Sequence, residues 1–219
     1  HMVRADFDRN LKLLQEELLL LGGLVEKAIM DSIQALKTRD IELSHKIVSQ
    51  DDIIDRKTNQ IEEKAIDLIA TQQPIAIDLR TLMSVIHISV ELERMGDYAE
   101  GIGKIGIMMG DEPPVKPLVD IPRMADKAST MLKLSLDALV RRDPVLAKQV
   151  CDSDDEVDNL YDVIYRDLID LMVSDPTTTQ RATYLMWVAH DLERIADRAT
   201  NIAERVIFLV TGQLVSSSG

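Results

Sequence analysis

Apolar residues recur along this chain at helical spacing. Leu43, Ile47, Ile54, Ile61, Ala65 and Leu68 follow one another in steps of three, four or seven, as do Val85, Ile88, Leu92, Met95, Ala99 and Ile102. Such steps place side chains on one stripe of an α-helix. No run alternates with period two between turn signals, so the pattern predicts no strands. It predicts six helices, over residues 6–38, 40–71, 74–109, 122–141, 143–173 and 176–211. The breaks carry physical signals. Asp143-Pro144 reads as an N-cap followed by proline at the first helical position. Asp40 takes the same place in the first half, after Arg39 as Asp143 is after Arg142. Pro74 and Pro176 open the third helix of each half. The stretch 110–122 holds four of the seven prolines, a density that ends helices. The expected fold is all-α: a three-helix bundle over 3–110, a linker over 111–121, and a second three-helix bundle over 122–212, each running up-down-up.

The halves also share sequence. Leu92-Glu93-Arg94-Met95-Gly96-Asp97-Tyr98-Ala99 returns as Leu192-Glu193-Arg194-Ile195-Ala196-Asp197-Arg198-Ala199, 100 residues on. Upstream, Asp51-Asp52-Ile53-Ile54-Asp55 is echoed by Asp154-Asp155-Glu156-Val157-Asp158, 103 residues on. The chain is an internal duplication, and it repeats pairs of acids four residues apart. Such pairs lie on one helix face and repel, which weakens the helix slightly. A bound cation would offset that repulsion.

In an antiparallel hairpin, residues equidistant from the turn face each other. The midpoint between the first acidic pair and its third-helix partner falls at Pro74, the expected turn. In the second half it falls at Asp175-Pro176. The spacing therefore predicts two clusters: Asp51, Asp55, Glu93 and Asp97 in one bundle, and Asp154, Asp158, Glu193 and Asp197 in the other. His190 replaces Val90 beside the second set, Asn201 adds a potential ligand a turn further on, and Glu204 follows. Oxygen ligands with an occasional imidazole suit Mg, Mn, Fe, Zn or Ca. The competing reading is a solvated acidic face neutralised by Arg94 and Arg194. Asp40, Asp52, Asp143 and Asp155 are read as capping or solvated, and His45 and His87 as structural, without an acidic partner. Met83, Met108, Met109 and Met186 are read as core filler, and Trp187 as core or interface.

Composition narrows the choices. Of the 219 residues, 46% are hydrophobic and only 3% aromatic, as expected of an aliphatic helix bundle. The net charge is −13 and the pI about 4.7. An acidic surface repels nucleic-acid phosphate and anionic membrane, and it suits cations and basic protein partners. Cys151 is alone, so no intrachain disulfide forms. That fits a reducing cytoplasm, as does the lack of a recognisable signal peptide. The apolar cluster Leu18–Leu21, followed by Gly22-Gly23, is too short to span a bilayer, so no transmembrane segment is expected. His1-Met2 is read as left from tag removal and 216–219 as a frayed tail.

With its two Leu-Glu-Arg-x-x-Asp-x-Ala motifs the chain resembles the PhoU family of phosphate-signalling proteins. Gln73-Pro74-Ile75-Ala76-Ile77-Asp78-Leu79-Arg80 looks like that family's Gln-Pro-x-Ala-x-Asp-Leu-Arg segment. The run Asp191-Leu192-Glu193-Arg194-Ile195-Ala196-Asp197-Arg198-Ala199-Thr200-Asn201-Ile202-Ala203-Glu204 is close to its second-repeat signature. The resemblance covers essentially the whole chain. It implies two tandem three-helix bundles and a cytoplasmic, non-enzymatic accessory protein of the phosphate-specific ABC transporter, peripheral to the membrane through its partners. The implied partners are the transporter's ATPase subunit, a phosphate-sensing histidine kinase and a second copy in a homodimer. The implied role is to hold down phosphate-starvation genes and limit uptake when phosphate is plentiful. Some members hold multinuclear iron or zinc clusters on Glu/Asp-x-x-x-Asp motifs. Those motifs map here to Asp51/Asp55, Glu93/Asp97, Asp154/Asp158 and Glu193/Asp197, with Asn201 alongside.

One departure stands out. Where the family usually has Asn-Ile-Ala after the first motif, this chain has Gly101-Ile102-Gly103-Lys104. The first cluster loses the counterpart of Asn201 and gains a cation nearby, which points to the second cluster as the more complete. The glycines weaken the helix and are read as permitting bending. The alternative function is a carboxylate-bridged oxidase or iron-storage bundle. Such bundles use Glu-x-x-His pairs, whereas the order here is His190-x-x-Glu193, in one repeat only.

Overall fold

Continuous apolar stripes without strand signals leave helix-on-helix packing as the way to bury this chain's core, and the structure, a computed structural model, takes that route. It describes residues 2–214, so His1 and the 216–219 tail lie outside the described residues. The helices are α1 (Met2–Thr38), α2 (Ile41–Gln72), α3 (Ile77–Met109), α4 (Asp120–Arg141), α5 (Pro144–Asp152), α6 (Asp154–Ser174) and α7 (Thr179–Thr211), with a 3-10 turn over Pro176–Thr178. No strand occurs among the described residues. Helices α1, α2 and α3 pack on one another as the first bundle. In the second, α4, α5 and α6 all pack against α7. The stripe residues Val85, Ile88, Leu92, Met95, Ala99 and Ile102 are fully buried, as are Ile61 and Ala65.

Several ends differ from the sequence expectation, each for a local reason. Helix α1 starts at Met2 rather than at residue 6, and along its first turns Asp6 pairs with Arg9 at 2.6 Å and Arg4 with Asp8 and Asp78. Helix α3 starts at Ile77, not Pro74. Gln73 and Ala76 both hold positive φ, of 47° and 54°, and the chain turns between them. The helix expected over 143–173 is broken. The Ser153 hydroxyl and N–H both donate to the Gln149 carbonyl, and Asp154, Asp155 and Glu156 fill the first turn of the next helix. Serine back-bonding bends helices, and acids suit a helix start. Met83 and Met108 are exposed rather than core filler, while Met109 is buried. Trp187 is half exposed, tilted against Tyr184.

The two corners flagged by Arg-Asp are alike. Arg39 and Arg142 sit in the left-handed region, at φ 58° and 53°. The following Asp40 and Asp143 N–H groups donate back to Ala35 and Ala138, five residues earlier, which closes a Schellman-type end. The same aspartates then cap the next helix. Asp40 accepts from the Leu43 N–H, and Asp143 from those of Val145 and Leu146, each at 3.0 Å.

The bundles meet along two antiparallel pairs, α3 on α7 and α1 on α4. Along the first pair Glu91 lies by Arg198 and Asn201, Tyr98 by Arg194, and Gly101 by Asp191. Along the second, Gln15 meets Arg142 and Met30 meets Ser129. The duplicated helices thus face one another across a local two-fold relation. Helix α2 flanks this four-helix centre in one half, and α5 with α6 flanks it in the other.

Candidate metal centre

Each acidic pair sits where a flanking helix meets the third helix of its bundle. In the first bundle the oxygens of Asp51 and Asp55 on α2 and Asp97 on α3 lie within 4.8 Å of one another. Gly96 helps to permit this. A Cβ there would come within 3.2 Å of Ile54 and 3.5 Å of the Asp51 Oδ1. Asp51 is 8% exposed, and its Oδ1, like that of Asp55, is buried without a hydrogen-bond partner. Burial pushes the Asp51 carboxyl up to about 8, helped by a hydrogen bond and charge from Glu100 and by the charges of Asp55 and Asp97. Asp55 and Asp97 are also raised, again chiefly by burial. Glu93 stands outside the tight set. It is raised by burial and by the charges of Asp55, Asp97 and Glu62, with Arg94 opposing.

The second bundle brings Asp154 and Asp158 on α6 to Glu193 and Asp197 on α7. Burial and the neighbouring acids push Asp154 up to about 6 and Glu193 up to about 7. Asp158, raised mainly by burial, hydrogen-bonds Glu193, and Asp197 is raised by burial against Arg198, Arg194 and His190. The Asp154 Oδ1 is a further buried oxygen without a partner. Among the described residues, however, only Asp51, Asp55 and Asp97 draw three ligand atoms within 4.8 Å. Position 196 is alanine where the first half has Gly96. The tighter grouping is thus in the first cluster, whereas the sequence pointed to the second as the more complete.

Two expected ligands are engaged elsewhere. His190 accepts a hydrogen bond from the Arg194 Nε at 2.9 Å and stands beside the Tyr161 ring. Asn201 faces the seam between the bundles, its Nδ2 3.5 Å from the Glu91 Oε2. His87, read as lacking an acidic partner, lies in the same polar cavity as Glu91, and burial and Arg205 lower its pKa. Sequence reasoning missed Glu100. Its signal was the Asp97-x-x-Glu100 spacing, which puts both on one helix face. It was overlooked because the duplication does not repeat it: position 200 is threonine.

The donor set of the first cluster is oxygen alone, which fits hard cations better than soft ones. Four carboxyls in a half-buried seam must either share protons or be neutralised by positive charge. The partnerless buried oxygens of Asp51, Asp55 and Asp154 are of the kind a cation would satisfy.

The PhoU domain family matches this chain twice, over residues 18–106 and 121–206. The phosphate-specific transport system accessory protein PhoU homolog of Clostridium acetobutylicum is 40% identical over 215 residues, 98% of each chain. The homolog from Rhizobium meliloti is 38% identical over 213 residues, 97% of this chain and 90% of that one. The crystal structure of PhoU from Pseudomonas aeruginosa superposes with a TM-score of 0.90 at 35% identity, covering 94% of this chain and all of that one. The phosphate transport system regulatory protein PhoU from Streptococcus pneumoniae gives the same TM-score at 29% identity, over 96% and 99%. With both repeats matched and full-length relatives at this identity, the chain belongs to the PhoU family.

Proposed function

We propose that this chain is a non-enzymatic regulator of phosphate transport that holds down phosphate-starvation gene expression and limits uptake when phosphate is plentiful. The observation that carries the reading is full-length similarity to proteins named for phosphate-specific transport, over both halves of the duplication. Its partners are the phosphate ABC transporter's ATPase subunit and a phosphate-sensing histidine kinase, met from the cytoplasm by a homodimer. No helix among the described residues is long and apolar enough to cross a membrane, so contact with the transporter runs through its subunits. A net charge of −13 favours basic or mixed docking surfaces. Signal then passes as a difference in affinity for two states of those partners.

In this reading Asp51, Asp55 and Asp97, with Glu93 beside them, hold one cation site, and Asp154, Asp158, Glu193 and Asp197 hold the other. Iron, zinc, manganese or magnesium bound there would supply the positive charge that ties each flanking helix to its neighbour. The chain's own carboxylates fix that neighbour's position. The oxidase or iron-storage alternative is disfavoured, because the one imidazole beside a cluster is bonded to Arg194. Deleting the gene tests the regulator. Phosphate-starvation reporters are expected to stay on in high phosphate, and normal repression in the deletion strain would overturn the proposal.

A further inference from the structure

The chain has one tryptophan and four tyrosines, and the tryptophan and three of the tyrosines gather where α6 meets α7. Tyr161 stacks on Tyr165 with ring centroids 6.1 Å apart and meets the His190 ring at 6.4 Å. Trp187, three residues before His190 and so on the same face of α7, meets Tyr184 at 5.6 Å. Ile169 continues the ridge of Tyr161 and Tyr165 at the next step of four. Tyr165 and Trp187 are 44% and 48% exposed, and Ile169 37%, so large rings face solvent in a chain that has few of them. The first bundle has nothing like this face. On the spacing of the duplication, Tyr161, Tyr165, Tyr184, Trp187 and His190 correspond to Thr58, Glu62, Ser84, His87 and Val90. The rings are therefore not what the bundle needs in order to pack. Carboxylates border them. Burial and the charges of Glu193 and Asp162 raise the Tyr161 phenol, which puts both acids near it. Asp162 is exposed and forms no ion pair among the described residues. The arginines nearest in sequence are held elsewhere: Arg166 on the Asp162 carbonyl, Arg194 on His190 and over the Tyr98 ring.

We propose that the outer face of α6 and α7 docks an amphipathic helix of a protein partner, one that carries lysine or arginine beside its apolar stripe. The proposal rests on the regulator reading and names the surface through which one partner is met. Exposed tyrosine and tryptophan are the side chains that anchor protein interfaces. Their ring bodies take apolar side chains, and their electron-rich faces take a guanidinium or ammonium. The unpaired Asp162 carboxylate then meets the same charge at the rim. Two neighbouring helices present ridges spaced to receive a third helix between them. A second copy of this chain would bring a net charge of −13 to an acid-bordered face and be repelled. The duplication thus yields two unlike outer faces, and the aromatic one carries the contact.

Trp187 is the only tryptophan, so its emission reports on this face. The full chain is titrated with a helical peptide of leucine and lysine in amphipathic order, with the same peptide scrambled so that no apolar stripe forms, and with a version carrying glutamate for lysine. The amphipathic basic peptide should shift the Trp187 emission to the blue and saturate, and the other two should not. Tyr165→Ser should weaken that binding by about tenfold or more. Asp162→Asn should weaken it less and flatten its salt dependence. Glu62→Gln, at the position of Tyr165 in the first bundle, should bind as wild type. Thermal melting of each variant checks that the fold is kept. No shift with the basic peptide overturns the proposal. So does equal binding of the scrambled peptide or undiminished binding by Tyr165→Ser, since either would mean attraction by net charge alone. An emission shift that grows with protein concentration in the absence of peptide also overturns it, by making a second copy the occupant. Each of these outcomes leaves the regulator reading standing, because the deletion strain decides that reading without reference to this face.

Discussion

At the scale of single residues, close approach decides more than charge does. Helix α3 comes down on α2 at glycines. A Cβ at Gly103 would stand 3.3 Å from the Ser44 carbonyl oxygen, and one at Gly106 would stand 2.6 Å from the Ser44 Oγ. The sequence reading took the glycines after the first motif for bending, yet α3 runs unbroken from Ile77 to Met109. Gly101 likewise makes room, since a Cβ there would meet the Asp191 carboxylate at 2.9 Å. Gly106→Ala should therefore destabilise. Overpacking costs about 1–3 kcal/mol, against roughly 1 kcal/mol gained from alanine's helix propensity. Adding Ser44→Ala removes the clashing oxygen and leaves its Cβ at ordinary contact, so the double variant should melt above the single one. Equal melting of the two in a thermal scan would refute the contact. Asp51, Asp55 and Asp97 were legible at this scale because the duplication repeats their spacing. For Asn201, helical spacing gives nearness to Asp197 but does not say that its amide reaches across to Glu91.

Among the helices, legibility followed capping chemistry. Asp40 and Asp143 were readable because a short acidic side chain after a helix end has one efficient use, accepting from the next helix's free N–H groups. Asp143→Ala should cost about 1 kcal/mol, lowering the melting midpoint by roughly 2–4 °C for a chain of this size. An unchanged midpoint would mean that solvent serves those N–H groups equally well. The break at Ser153 escaped notice because neither glycine nor proline marks it. There the Ser153 hydroxyl and N–H both turn back on the Gln149 carbonyl, and three acids open the next helix. The turn before α3 was placed at Pro74, but the helix waits until Ile77 because Ala76 holds a positive φ.

In the molecule as a whole, the acidic clusters set the response to pH. In the fold Asp51, Glu193, Asp154 and Asp191 stand at about 8, 7, 6 and 6, against ordinary carboxyl values near 4. Between pH about 4 and 8 the folded chain keeps protons that the unfolded chain has released. Stability of the metal-free protein is then greatest below the unfolded values and falls as pH rises through the folded ones. Denaturant midpoints should be lower at pH 8.5 than at pH 5.5, and a midpoint that rises over that interval would contradict the protonated clusters. This behaviour was half legible. The matched levels of the acids could be read from spacing. The pairing of α3 with α7 could not, because periodicity shows which face of a helix is apolar and not whose face it meets.

That pairing has a mechanical meaning. Each bundle's third helix carries the acids on one side and grips the opposite bundle on another, and Arg80 near the start of α3 reaches Gly212 just past the end of α7. The chain between Gly110 and Asp120 is therefore a tether rather than a hinge. Cut there, the two pieces would stay clasped, because what joins them runs along two whole pairs of rods.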